Sequence, residues 1–445
     1  MGELALADRR RLSPRLIAVG LALIFLAALG AQTLSRPDLS AYVVTTLIHA
    51  GFYVCAVWWV LNKPTRARDF ALILLVALVL RAVAVTAPPS LTTDGLRYVW
   101  DGRIQWAGFN PYLWVPADQA LAHLRDAAIF PNINQKETAV TIYPPVAQML
   151  FLIANAISDS LRGIQVVMTA MEAVTVWAIL SWLKFDGLPR ERVLIYAWHP
   201  IPIWEFSSMA HIDSAATAIL MLTIIAALRG RQGLAGALLA GAVLTKYFPI
   251  VLAPALWRRW GWRMPLAFIA TAIVLYLPYA AGAGPKVLGF LFNHLGNEGY
   301  GEGYGFHLIW ILRDFGLRAP VANAYIATAI VLLAELGLFA LLARRADEIR
   351  PEHMIVLGAA FVWLTCPHYA WYFGWLIPLL ARYMSPSVLA FTLLAILQNT
   401  PGNATWATQT FFYSTIFGGG LVLMLAEVLW RGRASSKVSM PTPSS

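Results

Sequence analysis

Apolar runs of about 20 residues recur along nearly the whole chain, and most of them end in a short cluster of arginine or lysine. Each run can cross a hydrocarbon core about 30 Å thick as a helix. Basic clusters stay on the cytoplasmic side, so they orient the runs. Residues 16–33 lead out, 41–61 return, and Lys63, Arg66 and Arg68 mark the inner face before 70–85 go out again. Further along, 163–183, 211–228, 321–343 and 411–429 run inward, each followed by basic residues. Residues 193–206, 265–281 and 388–396 run outward, and 355–365 with 371–380 form an out-and-back pair.

Two runs do not fit a simple crossing. Residues 143–156 are short and begin at Tyr143-Pro144-Pro145, which predicts a segment lying along or dipping into the outer side. Residues 234–257 are bracketed by Arg231 before and by Arg258, Arg259 and Arg263 after. A single crossing cannot place both brackets inside. Two half-spans broken near residues 245–249 (TKYFP) can, and they leave Lys246 in the outer half of the membrane. The expected fold is an all-α polytopic membrane bundle of about 12–14 spanning or half-spanning helices with both termini inside. One integral membrane unit covers residues 1–434, with outer loops at 87–141 and 282–320. Residues 435–445 read as a disordered cytoplasmic tail. There is no internal repeat and no candidate soluble domain.

Composition agrees with the pattern. The chain has 445 residues, 59% hydrophobic and 13% charged, where a soluble domain carries roughly 25% charged residues. The net charge of +10 follows from inner-face clusters and reports topology, so no nucleic-acid partner is expected. Cys55 and Cys366 both fall in apolar runs, and two such cysteines make neither a disulfide framework nor a CxxC metal site. Arg9, Arg10, Arg11 and Arg15 before the first run resemble a signal peptide. That run leads straight into more membrane segments, which predicts an uncleaved first helix.

The chemistry concentrates in 87–141, which is too polar for lipid. Asp94, Arg97, Tyr98, Asp101 and Gln105 recur at helical spacing and would line one face of a helix over Asp94–Trp106. Thr92 or Thr93 would cap it, and Gly108 with Asn110-Pro111 would end it. A carboxylate, a guanidinium and a phenol on one stripe suit deprotonation of a hydroxyl beside an anionic group; a helix-start charge and a surface ion pair are the bland alternative. Arg103 adds a further cation to the segment, and Tyr143-Pro144-Pro145 marks a fixed turn. Glu205, His211 and Asp213 cluster at an outer turn, where intramembrane ionisable groups face a cavity or hydrogen-bond between helices. They supply too few ligands for a metal site. Lys246, at membrane depth with no evident ion-pair partner, suggests an anionic ligand such as a phosphate, with snorkelling as the alternative. His368, in the outer corner 366–373 (CPHYAWYF), is either functional or interfacial. The Gly-rich second loop carries His294, Glu298, Glu302 and His307 and reads as a flexible acceptor loop or lid. No nucleotide motif accompanies any of this, so a sugar donor used on the outer face would be lipid-borne.

The blocks TTDGLRYVWDGRIQWAGFNPY, LRDAAIFPNIN, TIYPPVAQMLF, HPIPIWEF with HID, LTKYFPIVLAPALW and HYAWYFGWLIPLL resemble the GT-C glycosyltransferases. They are most similar to the polyprenol-phosphate-mannose-dependent mannosyltransferases of glycosyltransferase family 87. The resemblance implies inverting transfer of a sugar, mannose first among candidates, from a polyprenyl monophosphate to a glycan, glycolipid or other lipid-linked acceptor at the periplasmic or outer face. It implies membrane lipid as a partner, no cofactor and no nucleotide, and often no metal. With such a donor, Arg103 and Tyr143 join the candidates for binding its phosphate. An acidic residue of the first outer loop is the base in such enzymes, which by position is Asp94. The signature often has two adjacent acidic residues where this chain has Thr93-Asp94, which leaves Asp101 as partner or rival. Two other classes stay open on residues alone: a transporter or flippase, against which the lack of inverted repeats speaks, and a ligase or polymerase using a diphosphate-linked donor.

Overall fold

Helices form where the apolar runs predict them. The computed structural model describes residues 12–36, 38–288, 300, 305–314, 316, 321–399 and 406–438, which form helices and connecting turns with no strand among them. Among these residues seven helices are long and apolar enough to cross a membrane, a bent pair adds an eighth, and four apolar helices are shorter. The chain is a polytopic all-α membrane protein. Its first three spans are α1 (Pro14–Thr33), α2 (Ser40–Asn62) and α3 (Asp69–Thr86). The amphipathic helix α4 (Asp94–Trp106) follows, then the short α5 (Pro145–Ile157) and the long α6 (Leu161–Phe185).

The expected outward span at 193–206 is made differently. Helical turns at Leu194–Ala197 and a π-helical turn at Pro202–Ser208 replace one continuous helix, and a 110° bend leads into α7 (Asp213–Leu228). Pro200 and Pro202 remove the amides that would continue the hydrogen-bond ladder, and lipid offers no substitute. Side chains of neighbouring helices take over the freed carbonyls. Tyr53 Oη donates to Ile195 O (2.6 Å), Arg81 Nη1 to Ala197 O (2.7 Å), and His49 Nε2 lies 3.2 Å from Trp198 O. Arg81 also pairs with the buried Glu172 (2.6 Å), which accepts from Ser207 as well. This buried network fixes the broken segment against α3 and α6.

Helix α8 (Gln232–Val243) packs against α7 and against α9 (Arg263–Ala283). It stops at Leu244, and the chain returns through turns at Phe248–Leu252 and Ala253–Leu256, so the broken half-spans occur where the sequence predicts them. The Leu244 carbonyl freed by the break accepts from Val146 N (2.9 Å) and Ala147 N (3.3 Å), two first-turn amides of α5 left without partners after Pro144-Pro145. Two interruptions thus satisfy each other and bring Tyr143 beside Lys246. Helices α10 (Ala322–Leu342) and α11 (Pro351–Thr365) complete this side, and α9 and α10 leave apolar faces such as Leu266, Ile273 and Ile330 exposed to lipid.

A second, smaller core lies in the polar segment, where Tyr98, Trp100, Ile104 and Phe151 pack between α4 and α5. The two helices approach so closely at Gly102 that a Cβ there would stand 2.5 Å from Phe151 O. The last span reaches Val438 as helix, beyond the start of the expected tail, and residues 439–445 lie outside the described residues. So do His294, Glu298 and Glu302 of the second outer loop.

Candidate active site

Helix α4 runs from Asp94 to Trp106, the bounds its periodicity predicts. Thr92 Oγ1 accepts from Asp94 N at 3.1 Å, and Gly108 ends the helix at φ +83°. Asp94 is thus in the first turn, where the partial positive charge of the helix terminus favours a carboxylate by about 0.3–1 kcal/mol. Its side chain lines a cavity of about 800 Å³ together with Arg97, Asn134, Gln135, Tyr143, Lys246, Trp371 and Tyr372.

Lys246 reaches this cavity from the break after α8. The expectation that it has no ion-pair partner is overturned: its Nζ lies 2.6 Å from Asp213 Oδ2, at the start of α7, and 4.2 Å from the centre of the Tyr372 ring. Spacing along the sequence could not reveal a partner on a separate helix. An ammonium carries three donors, so one bond to Asp213 leaves two to point elsewhere.

Asp101 lies two turns along α4 from Asp94, wholly buried, and is not part of the cavity wall. It holds Arg97 instead, with Arg97 Nε 2.8 Å from Oδ1, while Gln148 Nε2 donates to Oδ2 at 3.0 Å and to Thr141 Oγ1 at 2.7 Å. Both terminal nitrogens of Arg97 donate to Ala139 O at 3.2 Å. That carbonyl is presented by a left-handed turn at Gln135 (φ +51°), whose own carbonyl accepts from Thr138 and Ala139. Arg97 is therefore held by three hydrogen bonds to two partners, and it lines the cavity.

Tyr98 faces inward, stacked on Phe151 with ring centroids 4.5 Å apart and edge-on to Tyr143 at 5.0 Å. Of the two, only Tyr143 lines the cavity. Burial raises the Tyr143 phenol well above its ordinary range, and the Asp94 charge adds to the shift. Tyr98 is raised by burial, by Tyr143 and by Asp94, in that order. Both phenols therefore stay neutral donors beside the carboxylate.

Three predicted residues lie elsewhere. Arg103 points away from the cavity and ties the polar segment together through Asp126 (2.5 Å) and Asp159 (3.0 Å). His211 is wholly buried, its Nδ1 2.9 Å from Glu205 O, and touches the site only by stacking on Trp371 at 3.8 Å between ring centroids. His368 lines two neighbouring pockets, with Nε2 3.1 Å from Gly305 O and the ring stacked on Tyr300. Trp371 and Tyr372, which on sequence alone can be read as no more than an aromatic belt, form a wall instead: Tyr369 stacks on Trp371 at 4.3 Å, and both border the cavity with Tyr372. At an outer corner such residues are indistinguishable from an interfacial aromatic belt. Gln135 was missed, since nothing in its sequence context announces a positive φ.

An apolar pocket of about 420 Å³ adjoins the cavity, lined by Phe248, Phe361, Val362 and Trp375 among others, and shares Tyr143, Lys246, Tyr369 and Tyr372 with it. A chamber that holds Asp94, Arg97 and Lys246 and a largely apolar chamber thus meet at this lysine inside a multi-pass membrane protein. The family model for glycosyltransferase family 87 matches residues 141–367, just over half of the chain, and the protein belongs to that family. It is a membrane-embedded glycosyltransferase, with a sugar donor and an acceptor as its substrates. Tyr143, His211, Asp213 and Lys246 fall within the matched region, whereas Asp94, Arg97, Tyr98, Asp101 and Arg103 precede it and His368 follows it by one residue. No curated protein and no solved structure matches the chain.

Proposed function

We propose that this enzyme transfers a sugar, mannose first among candidates, from a polyprenyl monophosphate to a glycan, glycolipid or lipid-linked acceptor on the outer face of the membrane, the bacterial inner membrane being the setting. The observation that carries the reading is the junction of the two chambers. A polyprenyl-phosphate sugar has a polar sugar, a single phosphate and an apolar tail, and the 800 Å³ cavity, Lys246 and the 420 Å³ pocket offer a complementary place for each in that order.

In the proposed reaction Asp94 accepts the proton of the acceptor hydroxyl as that oxygen attacks the sugar C1. The bond from C1 to the phosphate oxygen breaks, configuration inverts, and polyprenyl phosphate leaves with the bonding electrons. A positioned base of this kind is worth roughly 10²–10⁴-fold in rate. Lys246, with its free donors, and Arg97 line the cavity in which negative charge grows on the leaving phosphate. The aromatic wall of Tyr369, Trp371 and Tyr372 gives the sugar an apolar side to lie against. Asp101 acts by holding Arg97, a positioning role.

The test is transfer by purified protein from radiolabelled polyprenyl-phosphate mannose, glucose or arabinose to a panel of lipid-linked and glycan acceptors. Turnover of one of these donors supports the reading. Turnover only of a nucleotide sugar or a diphosphate-linked donor would overturn it.

A further inference from the structure

A separate cleft lies beside α8, which it touches at Leu239. Leu239, Pro254, Trp257, Phe268, Gly337 and Leu341 contribute to the lining of an opening of about 440 Å³ that is almost wholly apolar. Helix α8 has 12 residues, so its two ends stand about 18 Å apart at 1.5 Å per residue. Lys246 follows one end. At the other, Arg258 N donates to Gln232 Oε1 at 3.0 Å.

Two arginines flank the lining in sequence: Arg258 follows Trp257 and Arg263 precedes Met264. Arg258 and Arg263 are exposed, and neither has an ion-pair partner among the described residues. Arg344 is buried and fastens the turn, donating to Ala340 O (2.9 Å), Pro254 O (3.0 Å) and Trp257 O (2.6 Å). Glu348, the nearby carboxylate, is taken by Arg350 at 2.9 Å, and Asp347 is exposed. Trp260 and Trp262 are 72% and 74% exposed on the same turn, as expected of side chains seated at a membrane–water interface.

We propose that this cleft holds one anionic phospholipid, with an acyl chain in the apolar groove and the phosphate between Arg258 and Arg263. The charge balance selects that occupant. Two unpaired arginines next in sequence to lining residues of an apolar groove, itself bordered by the lipid-exposed helices α9 and α10, attract a head group of net negative charge, and basic residues next to anionic lipid are attracted additively. The bound lipid would bridge the returning half-span (Ile250, Pro254) to α9 and α10. The inference is independent of which sugar the enzyme transfers.

The test uses the full-length protein in detergent, titrated with dioleoylphosphatidylglycerol or dioleoylphosphatidylcholine and followed by native mass spectrometry and thermal unfolding. Phosphatidylglycerol should remain as a one-to-one adduct and raise the unfolding midpoint more than phosphatidylcholine does. The double variant Arg258→Gln/Arg263→Gln should weaken phosphatidylglycerol roughly thirtyfold with the lipid-free midpoint unchanged. Gly337→Leu, built where a Cβ already approaches Pro254 Cγ to 3.2 Å, should fill the groove and lose the adduct. Equal stabilisation by the two lipids, or undiminished phosphatidylglycerol binding in the arginine variant, would overturn the proposal.

Discussion

Lys246 Nζ lies 2.6 Å from Asp213 Oδ2, a contact between residues 33 apart that joins the break after α8 to the first turn of α7. The aspartate is wholly buried and the lysine side chain 17% exposed. Removing the lysine strands a buried carboxylate, which costs about 3–5 kcal/mol. Lys246→Ala should lower the unfolding midpoint and raise the apparent KM for donor at least tenfold. Combining it with Asp213→Asn should recover most of the stability and none of the donor affinity. Recovery of both would make the lysine purely structural.

Asp94 and Asp101 share a helix face but differ in surroundings, and the two asparagine variants should differ accordingly. Asp94→Asn should leave the unfolding midpoint within a degree or two while turnover drops roughly 10²–10⁴-fold. Asp101→Asn should do the reverse in emphasis. It leaves Arg97 without its buried counter-ion, so stability falls by about 3 kcal/mol or more and activity falls only as far as Arg97 shifts. Near-normal turnover by Asp94→Asn would remove it as the base.

The contact of α4 with α5 tolerates no side chain at Gly102. A Cβ would meet Phe151 O at 2.5 Å and Asn155 Cβ at 2.9 Å, and overpacking of this kind costs about 1–3 kcal/mol. Gly102→Ala should therefore destabilise the protein and, by tilting α4, slow turnover. A thermal melt and an initial-rate assay on the same preparation measure both. An unchanged melt would mean the two helices are not locked together.

Sidedness can be read with a single thiol. With Cys55, which is exposed, and Cys366, which is buried, replaced by serine, Gly108→Cys should react with an impermeant maleimide on intact cells. Labelling only after lysis would invert the topology.

The sequence announces what depends on local spacing. Asp94–Trp106 emerges with its true bounds because a polar stripe at helical period lies between Thr92 and Gly108. The interruption at 245–249 is legible from two basic brackets around one apolar run. What depends on distant parts of the chain is not legible. Asp213 could not be matched to Lys246, nor Asp101 told from Asp94 by depth, because the separating factor is the turn at Gln135 and the helix α5 folding over one of them. The irregular 190–208 segment looks like an ordinary span, since its prolines are visible but Tyr53, Arg81 and His49, which make the break tolerable, come from other helices.

The α7–α8 hairpin has a consequence for biosynthesis. An aspartate or a lysine placed singly at the centre of a membrane helix adds roughly 2.5–3.5 kcal/mol to the free energy of insertion, an upper bound for Asp213 at the start of α7 and Lys246 beyond the end of α8. Asp213 leaves the ribosome first, the turn at Gly230 (φ +69°) folds α8 back along α7, and Lys246 then arrives opposite the carboxylate. Inserted together as a hairpin, the two helices would present a neutral pair instead of two separate charges. The order of synthesis thus lets a cavity lysine reach membrane depth already matched to its counter-ion.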